Sequence, residues 1–201
     1  MIKASIYNFF GRIYVPDSFD FSGPYLLHIS DTPSLIFGSL DSLIKKIQPQ
    51  IIVHSGDLVD NLKLELYPSS IDGYRRYLKR LIRILEGGDR DVYYAIGNHD
   101  DKKSLEEFTH KGHIIETYEE IHLAQFTLGI THKYEDVKRK SADYILFGHN
   151  IDQHSDFDQY PKLLNGIDHI ALIHLETGEI TTFSYPHGTK DQRLLTYRKG
   201  L

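Results

Sequence analysis

Residues 50–60 read Gln50-Ile51-Ile52-Val53-His54-Ser55-Gly56-Asp57-Leu58-Val59-Asp60. A short apolar, β-branched run that stops at a Gly-Asp turn predicts a buried strand presenting Asp57 at its C-terminal end. In open α/β sheets, ligands and metals collect along that edge. Three other runs end alike. Tyr25-Leu26-Leu27-His28-Ile29 delivers Ser30-Asp31, Val92-Tyr93-Tyr94-Ala95-Ile96 delivers Gly97-Asn98-His99-Asp100, and Tyr144-Ile145-Leu146-Phe147 delivers Gly148-His149-Asn150. Each strand end carries oxygen or imidazole donors.

Between these runs the pattern alternates. Ser34 caps a helix to about Ile47, with Leu35, Ile36, Leu40, Leu43, Ile44 and Ile47 at helical spacing. The polar insertion 61–70 leads to a helix over Ile71–Leu85, striped by Tyr74, Leu78, Leu81 and Leu85 and ended by Gly87-Gly88. Lys102 to His110 predicts a short helix, and Ile114-Ile115 and Ile121-His122-Leu123 predict short strands. Phe126 to Thr131 is strand-like and ends on His132. Tyr134 to Ala142 predicts another helix. Ile170–Leu175 and Ile180–Tyr185 flank a turn and predict a hairpin. At the front, Ile2 to Phe10, Gly11-Arg12 and Ile13 to Val15 read as strand, turn, strand, while the tail from Thr189 is polar and basic. Alternating strands and helices followed by a strand-rich end predict a parallel βαβ core in one domain over residues 1–201.

Composition narrows the chemistry. With no cysteine, disulfides, thiolate catalysis and zinc–thiolate sites are excluded. Metal binding is left to imidazole and carboxylate, supplied by 12 histidines and 28 acids. The net charge of −5 argues against a dedicated nucleic-acid binder. No targeting segment and no run of membrane-spanning length is evident, which predicts a cytoplasmic protein with no membrane partner. The basic side chains Arg75, Arg76, Lys79, Arg80 and Arg83 read as the solvated face of a helix.

Asp57, Asn98, His132 and His149 supply a carboxylate, an amide oxygen and two imidazoles, and Asp31 adds a second carboxylate. Hard oxygen and borderline nitrogen donors suit divalent ions that act on phosphate. His28 and His54 lie inside strands and read as buried residues that orient Asp31 or Asp57.

The ordered set Asp31, Gly56-Asp57-x-x-Asp60, Gly97-Asn98-His99-Asp100, His132 and Gly148-His149 resembles the calcineurin-like metallophosphoesterase superfamily. The resemblance covers roughly His28 to His149. It implies an α/β fold, a four-layer α/β/β/α sandwich, with two metals drawn from manganese, iron or zinc. Asp57, Asn98, His132 and His149 would hold one ion, and Asp31 with Asp57 would contribute to the other. Water made acidic by the metals would attack phosphorus in line, and His99, oriented by Asp100, would act on the transition-state oxygens or the leaving group. The implied activity is hydrolysis of phosphomonoesters or phosphodiesters of small molecules or nucleotides.

Two motif positions depart from that family. Its first motif is Asp-x-His, but Pro33 follows Asp31-Thr32. Its last is Gly-His-x-His, but Ile151 follows Gly148-His149-Asn150. Both substitutions strip donors from the same ion. The consequences to be weighed are one tight site, a substitute ligand from Asn150, Asp152 or His154, or a catalytically weak binding scaffold.

Overall fold

The protein is described here from a computed structural model covering residues 2–137 and 141–194. In chain order it forms α1 (Ile2–Phe9), β1 (Tyr25–Ile29), α2 (Phe37–Ile47), β2 (Ile51–His54), α3 (Ile71–Leu85), β3 (Asp91–Ala95) and α4 (Lys102–Phe108). There follow β4 (His113–Ile115), β5 (Tyr118–His122), β6 (Thr127–Thr131), β7 (Tyr144–Phe147), β8 (Lys162–Asn165), β9 (Ile170–His174), β10 (Ile180–Phe183) and α5 (Thr189–Arg193).

Two mixed sheets result, with strand orders β10-β9-β1-β2-β3-β4 and β5-β6-β7-β8. Strands β1 to β4 pair in parallel, and β9 and β10 close that sheet as an antiparallel hairpin with Ile180 opposite Ile173. In the second sheet β6, β7 and β8 are parallel and β5 is antiparallel to β6. All parallel strands therefore end on one side, where loops from both sheets can meet.

Strand periodicity sorts the core. Successive side chains of a strand point to opposite faces. Tyr25, Leu27 and Ile29 of β1 join the apolar cluster under the helices, whereas Leu26 joins the cluster between the sheets. Ile52 faces the helices, and Ile51 and Val53 face the second sheet. The α3 stripe of Tyr74, Leu78, Leu81 and Leu85 is fully buried against that first cluster, so truncating one of its leucines to alanine costs about 2–5 kcal/mol. The opposite face exposes Arg76, Lys79, Arg80 and Arg83, while Arg75 binds Glu107 and Ser104 of α4. The second sheet's outer face, with Ile145, Phe147 and Leu163, is covered by Tyr134 and Val137.

The α/β sandwich is thus as the sequence implies, with local differences. The expected helix over Tyr134–Ala142 is a 3-10 turn, Tyr134–Asp136, and residues 138–140 lie outside the described part. The expected N-terminal strand pair is helix α1 followed by irregular chain. Gly11, at φ +70°, is that helix's C-cap and not a hairpin turn, with Arg12 N donating to Tyr7 O. The basic tail forms α5 before passing, from residue 195, beyond the described residues. Strand β8 has no counterpart in the sequence reading. Leu35, placed on the buried stripe of α2, lies in a 3-10 turn before it and is 62% exposed.

Candidate metal centre

The loops leaving β1, β2 and β3 converge with those leaving β6 and β7. Backbone hydrogen bonds tie them together: Asp31 N to Gly56 O, Thr32 N to Asp57 O, and Gly148 N to His132 O. The turns are sharp. Asp31, Asp57 and His149 all adopt left-handed backbone, at φ 49°, 54° and 57°, which non-glycine residues rarely do and which costs about 1–3 kcal/mol at each such position. The packing leaves no room for side chains beside them. A Cβ on Gly97 would lie 2.2 Å from Asp57 Oδ1, and one on Gly148 would lie 2.0 Å from Ser30 Oγ.

Within this ring Asp57, His132 and His149 bring one donor atom each within 4.8 Å of one another. Asn98 Oδ1 lies 3.2 Å from His132 Nε2, and Asp57 Oδ2 lies 3.6 Å from the same nitrogen. The other ring nitrogen, Nδ1, donates to Ser55 O at 2.8 Å. In a neutral ring that bond places the only proton on Nδ1, so Nε2 presents a lone pair. The Asn98 amide is oriented independently, because its Nδ2 donates to Glu65. Asp57 Oδ2, Asn98 Oδ1 and His132 Nε2 therefore converge, and this donor set suits manganese, iron or zinc.

The electrostatics agree. Burial pushes the Asp57 carboxyl well above the usual carboxylate range, and Asp31, Asp100 and Asp60 push it further. Burial, with neighbouring Asp31, raises Asp60 to about 7. Carboxylates crowded in this way favour a bound cation.

Asp31 lines the same cavity, but its Oδ2 accepts from Ser30 Oγ at 2.6 Å and from His149 N at 3.2 Å, and it belongs to neither convergent three-donor group. The second such group is Asp57, Asp60 and His99. His99 is 9% exposed; its backbone N donates to Asp57 Oδ1 at 2.9 Å. Burial and the nearby Lys63 bring its imidazole down to about 4, so it is neutral at pH 7.

One expected role is corrected. Asp100 does not orient His99. Its two oxygens accept from the backbone N–H groups of Asp57, Leu58 and Gly97 and from the Tyr74 hydroxyl, at 2.8–2.9 Å. It is a clamp that holds the β2 and β3 loops together. The three suggested substitute ligands also do other work or stand apart. Asn150 accepts from Tyr134 N and donates to Glu135, and His154 pairs with Asp168 at 3.2 Å. Among the described residues no convergent three-donor group includes Asp152 or His154. The buried His28 and His54 do sit behind the site. His28 Nε2 bonds Ser55 Oγ, and His54 Nε2 bonds Thr32 Oγ1, next to Asp31.

Three side chains not singled out by sequence complete the site. Lys63 and Glu65 come from the polar insertion, and Lys63 Nζ binds Asp60 Oδ1. Arg193 of α5 is 9% exposed, and donates to Asp31 O, Ser30 O and Ile167 O at 2.7–3.0 Å while lying over the Tyr185 ring. The only sequence signal for these was charge: a lysine three residues past a Gly-Asp-x-x-Asp motif and an arginine in a basic tail.

Residues 25–191 match the sequence profile of the calcineurin-like phosphoesterases, and the chain belongs to that family. Its fold is similar to that of YfcE, a phosphoesterase from E. coli, with a TM-score of 0.54 and 17% identity over 80% of this chain and 98% of that one. A protein of unknown function from Aquifex aeolicus is also similar, with a TM-score of 0.46 and 18% identity over 71% of this chain and 89% of that one. No curated protein matches the chain.

Proposed function

We propose that the protein is a metal-dependent phosphoesterase of small phosphomonoesters or phosphodiesters, built around one tight ion held by Asp57, Asn98, His132 and His149. The observation that carries this reading is the convergence of carboxylate, amide and imidazole donors, with Asp57, His132 and His149 offering atoms within 4.8 Å of one another and His132 Nε2 3.2 Å from Asn98 Oδ1. When bound, the ion supplies Lewis-acid polarisation of a phosphoryl oxygen and acidifies water.

The chain's own residues do the rest. Ser55 O fixes the His132 tautomer, and Asp100 holds Asp57 and the Gly97 turn in register. His99, neutral at pH 7, suits hydrogen-bond donation to a phosphoryl oxygen and is unsuited to giving up a proton as an imidazolium. A cavity of about 780 Å³ opens beside these residues, and its lining includes Ile151, Ile167, Tyr185, Pro186 and Leu194 along with the polar His154, Asp168, His187 and Lys190. That mixed lining supports a substrate of small-molecule size that carries both apolar and polar groups. At Ile151 the chain presents a hydrocarbon surface where the family motif has a donor.

The test is hydrolysis of chromogenic phosphomonoesters and phosphodiesters with added manganese, comparing wild type with His149→Ala. Metal-dependent turnover lost in the variant supports the reading. Equal rates in both, or none in either, overturn it, and the second outcome favours a binding scaffold.

A further inference from the structure

Carboxylates and fixed cations share the loops around the site. Four carboxylates occupy the strand-end loops: Asp31, Asp57, Asp60 and Asp100. Two fixed cations, Lys63 and Arg193, stand among them.

The two cations differ in what they have left to give. Arg193 spends its guanidinium on three backbone carbonyls. Lys63 has three N–H donors, and among the described residues one partner, Asp60 Oδ1. Its side chain is 12% exposed and that of Asp60 is 1% exposed, so the pair is largely withdrawn from water. Left-handed backbone at Lys63, φ 40°, turns the chain directly after the 3-10 turn Asp60–Leu62. The ammonium lines the same cavity as Asp31, Asp57, His99 and His149. The second oxygen of Asp60, Oδ2, is buried without a hydrogen-bond partner, so the pair is held by the lysine alone.

We propose that Lys63 is the phosphate-facing cation of this centre. Seated on Asp60, its ammonium takes a non-reacting oxygen of the bound phosphoryl group with its spare donors. This rests on the phosphoesterase reading above. It goes further by assigning a charge-bearing substrate contact to the polar insertion.

The experiment combines manganese content with affinity for inorganic phosphate, measured by calorimetry on the manganese-equilibrated full chain. Wild type is expected to hold one manganese per chain. Lys63→Met is expected to keep that ion and weaken phosphate binding about 10- to 100-fold, as loss of a charge-assisted contact does, while Lys63→Arg recovers most of it. Asp60→Asn, which keeps the shape and unseats the ammonium, serves if Lys63→Met does not fold, and is expected to weaken phosphate binding likewise. Phosphate affinity unchanged in the variants, or lost only together with their manganese, would overturn the assignment. Failure is separable from failure of the catalytic reading. Hydrolysis with Lys63-independent phosphate binding removes only Lys63, whereas Lys63-dependent phosphate binding without any hydrolysis removes only catalysis.

Discussion

His132 Nε2 and Asn98 Oδ1 lie 3.2 Å apart, and each is turned toward the other by a bond made elsewhere: the ring by Ser55 O, the amide by Glu65. Donor atoms fixed at that separation suit joint coordination of a cation. Removing a residue that merely supports a metal ligand costs about 10–100-fold in affinity or activity, so His132→Ala, which removes a proposed ligand, is expected to cost at least about 100-fold in metal-dependent hydrolysis. Manganese content after dialysis is expected to fall toward zero. Unaltered manganese content would separate His132 from the ion.

The carboxylate of Asp100 binds three backbone amides and one tyrosine hydroxyl, and none of these is His99. Asp100→Asn replaces an acceptor with a donor that faces N–H groups. The expected loss is about 3–5 kcal/mol of stability, as for a broken buried network, read as a shifted denaturation midpoint. If Asp100 worked by orienting His99, kcat would fall with the midpoint unmoved.

Arg193→Met should strip partners from Ser30 O, Asp31 O and Ile167 O at once and detach α5 from the β1 loop. Lysine cannot rescue it, because the fork geometry that reaches three carbonyls belongs to guanidinium. Thermal melts are expected to show comparable destabilisation in Arg193→Met and Arg193→Lys. A lysine variant as stable as wild type would reduce Arg193 to a simple charge.

How much of this was legible follows the physics of each part. Strands that are apolar and end in a Gly-Asp or Gly-Asn turn announce themselves, so the loops that carry Asp57, Asn98 and His149 can be placed from the sequence. His132 is singled out by its place in the order. Helix α3 was clear because Tyr74, Leu78, Leu81 and Leu85 fall on one face. The failures share a cause. Strand β8, Lys162–Asn165, has only two consecutive leucines and is a strand because β7 pairs with it. Helix α1 lacks a partner strand, and local bonds around Gly11 decide its form. Lys63 and Arg193 look like surface charges in the chain; only tertiary packing buries them. The bonds of Asp100 to Asp57 N and Leu58 N cross to the β2 loop, which its place beside His99 in the sequence does not reveal.

His28 offers a pH test independent of metal. It is fully buried, and burial first, then His54 and His169, depress its imidazole to about 3 from an ordinary 6.5. As pH falls through 6.5 the unfolded chain gains a proton that the folded chain refuses until about pH 3. Stability is therefore present in full above 6.5 and is lost below it, at about 1.4 kcal/mol per pH unit for this group. Other groups cancel when wild type is compared with His28→Gln. The stability difference between the two is expected to move toward the variant between pH 6.5 and pH 4.5, measured by urea denaturation. A difference that stays flat across that range would mean His28 is protonated in the folded state.

Anomalous diffraction at the manganese edge, from crystals soaked in manganese, asks the decisive question. A single strong peak bounded by Asp57, Asn98, His132 and His149 is the expected result. Its absence there, with those four side chains ordered around water, would contradict the metal centre and with it the proposed hydrolysis.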